Sequence, residues 1–181
     1  NNARGRYFFL DLTGKVKPYL LAEMNNHMGA VTQVGYASSC RFYLEDEKQP
    51  ETRWKTPLPF PVQVVARVEV IDEISKGKLT TEYRYHHGYW DGAEREFRGF
   101  GRVDHCDTET FTRYHSAGLH AREDFEDVPL ASFSPPLETR TWFHLGPVGE
   151  AHGAWEEPDF SHEYWQADPL LLQRPPEIER F

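Results

Sequence analysis

The sequence predicts an all-β domain: an antiparallel meander of hairpins followed by an irregular, Pro/Gly-rich C-terminal stretch. Three observations predict it. Aromatic residues make up 14% of the 181 positions, beside thirteen Gly and thirteen Pro, an aromatic-rich and turn-rich composition. Apolar residues alternate with a two-residue period from Val62 to Ile71, as in a half-buried strand. Turn sequences such as Ser75-Lys76-Gly77 and Asp91-Gly92 separate the alternating runs, and no long amphipathic helix is legible.

In chain order, the first strand is Arg6 to Leu12, closed by Thr13-Gly14. Lys17 to Ala22 reads as extended, and Glu23 to Gly29 as a turn on the strength of its Asn pair and its Gly. Ala30 to Tyr36 is the next strand, with Ala30, Thr32, Val34 and Tyr36 on one face. The polar run Asp46 to Lys55, with Pro50, is a loop. Pro57, Pro59 and Pro61 exclude a helix before Val62. Beyond them Val62, Val64, Ala66, Val68 and Val70 point one way, and this is the face expected to be buried. Leu79, Thr81, Tyr83 and Tyr85 line the returning strand. From Glu94 to His105 the parity breaks: Phe97 and Phe100 reach one face only if Gly99 marks a bulge, which would put both rings in the core. Thr110 to His115 and Leu137 to Leu145 are two further strands, with the core meander expected to run as consecutive strands from Val62 to His115. From Gly146 the pattern fades, apart from a turn of helix capped by Ser161 and running through Glu163 to Gln166. The expected organisation is thus strands in 1–28, a meander core in 29–145 and an irregular segment in 146–181.

A net charge of −9 argues against nucleic acid as a partner, since phosphates demand a basic face. The longest apolar runs, such as Pro18 to Ala22, fall far short of the ~20 residues of a membrane span. No signal peptide is visible at Asn1-Asn2-Ala3-Arg4, and the chain reads as a piece of a longer protein. Cys40 and Cys106 are too few for a disulfide scaffold or a four-Cys zinc site; they read as two free thiols, with a single disulfide as the alternative.

No complete catalytic or metal constellation emerges, so no catalytic, cofactor-binding or metal-ligating residue is assigned. His86-His87 and His105-Cys106-Asp107 lie on strands, where neighbours face opposite sides and cannot readily share a metal. His115 and His120 flank Gly118 but lack further convergent ligands. Glu94-Arg95-Glu96 matches the E-x-E triplet of arginine-targeting ADP-ribosyltransferases, but Ser38-Ser39-Cys40 is a poor substitute for their Ser-Thr-Ser strand, and Ser132-Phe133-Ser134 lies on the wrong side. Phe97-Arg98-Gly99-Phe100-Gly101 is Gly-rich but lacks the following helix that phosphate binding needs. Trp54, Tyr83, Tyr85, Tyr89, Trp90, Trp142, Trp155 and Trp165 could stack on sugars, as in a carbohydrate-binding module, or could simply fill a β core.

Longer strings carry more information. They are Phe9-Leu10-Asp11-Leu12-Thr13-Gly14 with Val16 to Leu21, Asn25-Asn26-His27-Met28-Gly29-Ala30-Val31-Thr32, Tyr36 to Leu44, Leu58-Pro59-Phe60-Pro61-Val62-Gln63, Tyr83 to Gly92, Glu94 to Gly101, and Thr139 to His144. Together, from Phe8 to Leu172, these resemble the middle region of the B component of insecticidal toxin complexes (Tc toxins), shared with virulence-plasmid B-type proteins. Cys40 stands where that family more often has a hydroxyl residue. The resemblance implies that a β-propeller precedes this region and that Rhs/YD-type β repeats follow it. It implies a hollow β-sheet shell, built by the B and C components, that encapsulates the cytotoxic end of C. It also implies docking on the A component through the propeller, and secretion as part of a bacterial virulence complex. The segment itself would be non-catalytic shell wall without a cofactor or direct membrane insertion. Exposed strand edges would make it prone to associate when isolated.

Overall fold

The computed structural model describes residues 10, 17–116, 118–148 and 157–169. Six strands form one sheet: β1 (Glu23–Asn25), β2 (Ala30–Ser38), β3 (Gln63–Asp72), β4 (Lys78–Asp91), β5 (Glu96–Cys106) and β6 (Glu138–Trp142). Spatial order equals chain order and every pairing is antiparallel, so the predicted meander forms. The first predicted strand, Arg6 to Leu12, lies outside the described residues except for Leu10, and Trp155 lies outside them as well.

Side-chain caps set the hairpins. Asn26 Oδ1 accepts from the N–H groups of Met28 and Ala30, and Gly29 takes φ +99°. Asp91 Oδ1 accepts from Ala93 and Glu94, opening a four-residue turn that ends at Arg95, φ +55°. The positive φ of this turn therefore falls on Arg95, whereas the sequence places the tight turn at Asp91-Gly92. The predicted bulge is present. Tyr89 pairs with Gly99 and Trp90 with Phe97, leaving Arg98 as the extra residue beside a glycine at φ +92°. Phe97 and Phe100 meet edge-on with centroids 5.6 Å apart. Phe97 nonetheless sits at the rim rather than in the core, 36% exposed.

Two excursions leave the sheet. After β2, α1 (Ser39–Asp46) begins at Ser38, whose side chain accepts from Cys40 N–H. This helix lay in sequence between the predicted strand and loop and was not expected. It sits where the sheet splits: β3 and β4 pair only from Arg67/Glu82 to Ile71/Lys78, and past that point α1 lies against β4. Phe42 packs on Tyr85 at 5.7 Å, and Tyr85 donates to Val65 O across the gap at 2.9 Å. The second excursion spans residues 107–137. Here the expected strand Thr110 to His115 is instead a single helical turn, α2 (Phe111–Tyr114). Phe111 and His115, four residues apart, pack with tilted rings at 4.4 Å, and Tyr114 is buried against Ile71 and Phe125. Aromatic spacing of three and four fits a helix, not a strand. Earlier in the chain, Lys17 to Ala22 contains a turn at Pro18-Tyr19, and part of the expected turn is β1.

Cross-strand register sorts the side chains sharply, because directly opposed residues share a face. One set of rows reads Thr32–Val70–Leu79, Val34–Val68–Thr81, Tyr83–His105–Thr139 and Tyr85–Val103–Thr141. The alternate rows read Gln33–Glu69–Thr80, Gly35–Arg67–Glu82–Cys106–Glu138 and Arg84–Asp104–Arg140. The sheet therefore has an almost uncharged face and a charged one, and the charged face is covered around Glu69, Thr80 and Asp104, while Arg84, Glu138 and Arg140 at its far end stay exposed. Glu69 is 0% exposed and Thr80 3%, whereas Leu79 is 68% exposed and Thr139 and Thr141 are open.

This corrects the expected burial of Val62, Val64, Ala66, Val68 and Val70. Only Val64 is buried, and the register slip between Gly35 and Tyr36 leaves Ala66 unpaired, so parity changes within β3. Alternation tells which residues share a face. Which face is covered depends on where residues 107–133 fold. Among the described residues the apolar core is correspondingly split into two small clusters. Ile71, Tyr114 and Phe125 form one beneath that excursion; Tyr89, Leu145 and Phe160 form the other near the C-terminal segment.

Candidate functional site

Two buried ionic networks sit on the charged face. The first joins β4, β5, α1 and the C-terminal segment. His86 Nδ1 meets Asp46 Oδ2 at 2.7 Å, and its Nε2 lies 3.2 Å from Asp104 Oδ2 without hydrogen-bonding alignment. Asp104 is held by Arg102 through Nε at 2.8 Å and Nη2 at 3.0 Å. Arg102 Nη1 reaches Glu163 at 2.9 Å, and Trp142 Nε1 donates to the same carboxylate at 3.0 Å. Glu163 also faces His87 Nε2 at 2.8 Å, while His87 Nδ1 accepts from Lys55 N–H at 3.1 Å. That last bond fixes the proton of His87 on Nε2. Trp54 Nε1 completes the chain by donating to Asp46 at 2.6 Å.

Electrostatics follow from this geometry. Burial favours neutral His86, but the carboxylates of Asp104 and Asp46 outweigh it and hold its pKa above the ordinary value. Burial likewise opposes charge on Glu163, yet His87, Trp142 and Arg102 hold it far below the usual carboxylate range. Asp104 is lowered against burial by His86 and Arg102. An open polar cleft of about 530 Å³ adjoins His86, between Arg84, Asp104 and Arg140.

The second network centres on Arg67, whose guanidinium meets Glu69, Glu82 and Glu109. Lys78 Nζ reaches Glu109 at 2.8 Å, donates to Tyr114 O at 2.7 Å and lies 4.1 Å from the Phe125 ring centroid. Glu69 accepts from the N–H groups of Leu119 at 2.9 Å and His120 at 3.0 Å. Gly118 is required there, because a Cβ would collide with the Glu69 carboxylate. Burial opposes the charges of Arg67 and Glu109, but their partners prevail: Arg67 is raised and Glu109 lowered.

The structure disperses most of the candidates named from sequence. The rings of His86 and His87 lie 6.5 Å apart, each committed to its own carboxylate. His105 stacks on Tyr83 and pairs with Asp107. His115 bonds Phe111 O and Val128 N–H, and His120 turns to Glu69. Glu94 lies in the turn and Glu96 faces Arg98, 3.8 Å away. Residues 97–101 are strand with a bulge, and β5 continues past them to Cys106. Tyr89 is core, Trp90 packs on Phe60, and Trp142 packs on Tyr164. Trp165 is 71% exposed, beside an open cleft. Cys40 and Cys106 are free thiols. Among the described residues, no three His, Cys, Asp or Glu side chains converge on a metal-sized point, and no helix is long and apolar enough to cross a membrane.

Sequence reasoning missed Arg67, Glu69, Lys78, Arg102, Asp104, Glu109 and Glu163. Their signal was present as charges at alternate positions inside otherwise apolar strands: Arg67/Glu69, Arg84/His86 and Arg102/Asp104.

A six-stranded meander whose buried charges pair with one another within the fold defines a structural β-sheet module. Residues 3–118 match the family described as the insecticide toxin TcdB middle/N-terminal region, and the chain belongs to that family. It is similar to the crystal structure of TcdB2-TccC3, at 36% identity over 70% of this chain, 6% of that chain, with a TM-score of 0.55. The form of TcdB2-TccC3 without the hypervariable C-terminal region gives 38% identity over 70% of this chain, 5% of that chain, and 0.56. The Tc holotoxin pore of Photorhabdus luminescens gives 35% over 71% of this chain, 5% of that chain, and 0.55. This chain thus spans about 6% of the first of these. No curated protein matches it.

Proposed function

We propose that this chain is a segment of the β-shell wall of a Tc-type toxin complex, acting by enclosure and not by catalysis. The supporting observation is the meander itself, in which every strand pairs with its chain neighbour and, among the described residues, the outer strands β1 and β6 each pair on one side only. The likeness to TcdB2-TccC3 supports a C component as co-builder of the shell. In this reading residues 1–28 continue from an upstream propeller that docks on the A component, 29–145 form wall, and 146–181 form an irregular strap leading to YD repeats. The complex is secreted, and the segment meets neither nucleic acid nor membrane directly.

The test uses the full-length component assembled with its C partner. Limited proteolysis is expected to spare the cytotoxic end of C. Glu69→Lys, which buries an unpaired cation in the wall, is expected to expose it. Protection absent in the unsubstituted complex would overturn the proposal. Two further arms address other readings. NAD consumption lost in Glu96→Ala would favour a transferase. Sugar-saturable quenching lost in Trp165→Ala would favour a carbohydrate module.

A further inference from the structure

The C-terminal end of α1 carries charge of the wrong sign. Glu45, Asp46 and Glu47 stand in succession where the helix dipole is already negative, and the last turn holds no basic residue. Cations offset them one by one. Arg41 and Arg84 reach Glu45 at 3.1 and 2.9 Å, and Arg53 lies 3.5 Å from Glu47. Asp46, which is buried, meets His86 Nδ1 at 2.7 Å. Of these cations only the imidazolium gives up its charge near neutral pH. We propose that His86 is a proton-operated latch: its imidazolium holds the C-terminal end of α1 on the sheet, and loss of that proton lets residues 40–54 swing away from β4.

The geometry separates fixed ends from a releasable middle. At the start of α1, Ser39 N–H donates to Val62 O at 2.8 Å and Val62 N–H donates to Ser39 Oγ at 3.0 Å. After the loop, Thr56 Oγ1 donates to Gly88 O at 3.0 Å. None of these bonds titrates. Between them α1 rests on β4 through Phe42 on Tyr85, Asp46 on His86 and an exposed Arg84–Glu45 pair worth little in water. Thr52 Oγ1 and Trp54 Nε1 both donate to Asp46, so the loop moves with the helix end.

The groups around the ring fix the sign. On β5, Asp104 lies 3.2 Å from Nε2, gripped by Arg102 and 3.9 Å from Arg140 of β6. Glu163 of the C-terminal segment pairs with Arg102 and with His87, whose ring is 6.5 Å from that of His86. Glu82, Cys106 and Glu138 line the cleft beside it. A neutral imidazole has one proton for two carboxylates. Whichever nitrogen keeps it, Asp46 loses its charge-assisted bond and feels the negative helix end again. Burial opposes the imidazolium, Asp104 and Asp46 favour it, and Arg102 opposes it; the carboxylates prevail, so the folded ring keeps its proton above the ordinary value of 6.5.

The experiment is hydrogen exchange on the full-length component, read by mass spectrometry from about pH 6 to about pH 9 and corrected for the intrinsic pH dependence of exchange. Residues 40–54 are expected to open more readily than the β4–β5 ladder at every pH. Their opening constant should be flat below 6.5, climb by up to about tenfold per pH unit above it, and level off beyond the raised value. His86→Gln, which cannot take up the proton, should remove the climb. Asp46→Asn keeps an acceptor for Trp54 Nε1 without the charge and should shrink the climb; it carries the test if His86→Gln loses ladder protection and so fails to fold. Arg53→Gln, at the exposed pair with Glu47, should retain the climb in full. A flat opening constant in the unsubstituted component, a climb of full size in His86→Gln or Asp46→Asn, a climb lost in Arg53→Gln, or exchange of residues 40–54 at the rate of the ladder would overturn the latch.

Discussion

His86 is a buried residue whose protonation the fold depends on. A carboxylate stands on either side of its ring, 2.7 and 3.2 Å from its nitrogens. Its folded pKa is raised above 6.5, so its stabilising contribution is complete below that value and is lost as pH rises through the raised one. Asp104, Glu109 and Glu163 have lowered pKa values, so theirs is complete above the ordinary carboxylate range and is lost as pH falls through the depressed values. Denaturation midpoints should therefore peak between about pH 5 and 6.5 and decline on both sides. His86→Gln should remove the alkaline decline and leave the acid limb, as read by urea titrations across pH; an unchanged alkaline limb would assign it elsewhere. Asp46→Ala leaves the imidazolium with Asp104 alone and should cost about 1–3 kcal/mol. Gly118→Ala should cost about 1–3 kcal/mol by displacing the Glu69 carboxylate. Combined with Glu69→Ala, the two losses should be non-additive in a double-mutant cycle.

At the scale of elements, irregularities carry the architecture. The bulge at Arg98-Gly99 lets Phe97 and Phe100 meet on one side, and Gly99 at φ +92° is the position where an L side chain is strained. Gly99→Ala should destabilise by about 1–2 kcal/mol although nothing lies within 4 Å of the added Cβ, which isolates the backbone term. The helix α1 wedges the divergence of β3 and β4 through Phe42, Glu45 and Asp46. Removing its cap with Ser38→Ala should cost about 1 kcal/mol, measured by chemical denaturation. Hydrogen exchange should then rise at α1 while the β4–β5 ladder stays protected.

For the whole molecule, the decisive property is the inversion of a usual sheet: charges inward, uncharged face outward. Networks of this kind hold a sheet without a large apolar core, because each buried charge has partners on another element. The consequence is a surface that invites association. The isolated chain is expected to self-associate in sedimentation velocity, and Leu79→Lys, at a site already 68% exposed, should shift it toward monomer. A charge-reversing Asp127→Lys on the other side should leave the distribution unchanged.

The sequence by itself determined the local facts. Period-two alternation defined β3 and β4, Ser75-Lys76-Gly77 marked one hairpin, Asp91 marked the start of the next, and the opposite parity of Phe97 and Phe100 located the bulge at Gly99. Each depends on residues a few positions apart, where backbone geometry dominates. Long motifs, from Tyr36 to Leu44 and from Tyr83 to Gly101, also carried the family. Only tertiary structure decided which face of the sheet is covered. Val68 and Val70 look like core in sequence, yet Glu69 and Lys78 are the buried ones. The reason is that burial of a charge depends on its partners. Arg67 meets Glu109 across 42 positions, His86 meets Asp46 across 40, and His87 meets Glu163 across 76. No local pattern encodes such pairs, whereas the helical turn at Phe111–Tyr114 carried a local sign in its aromatic spacing of three and four.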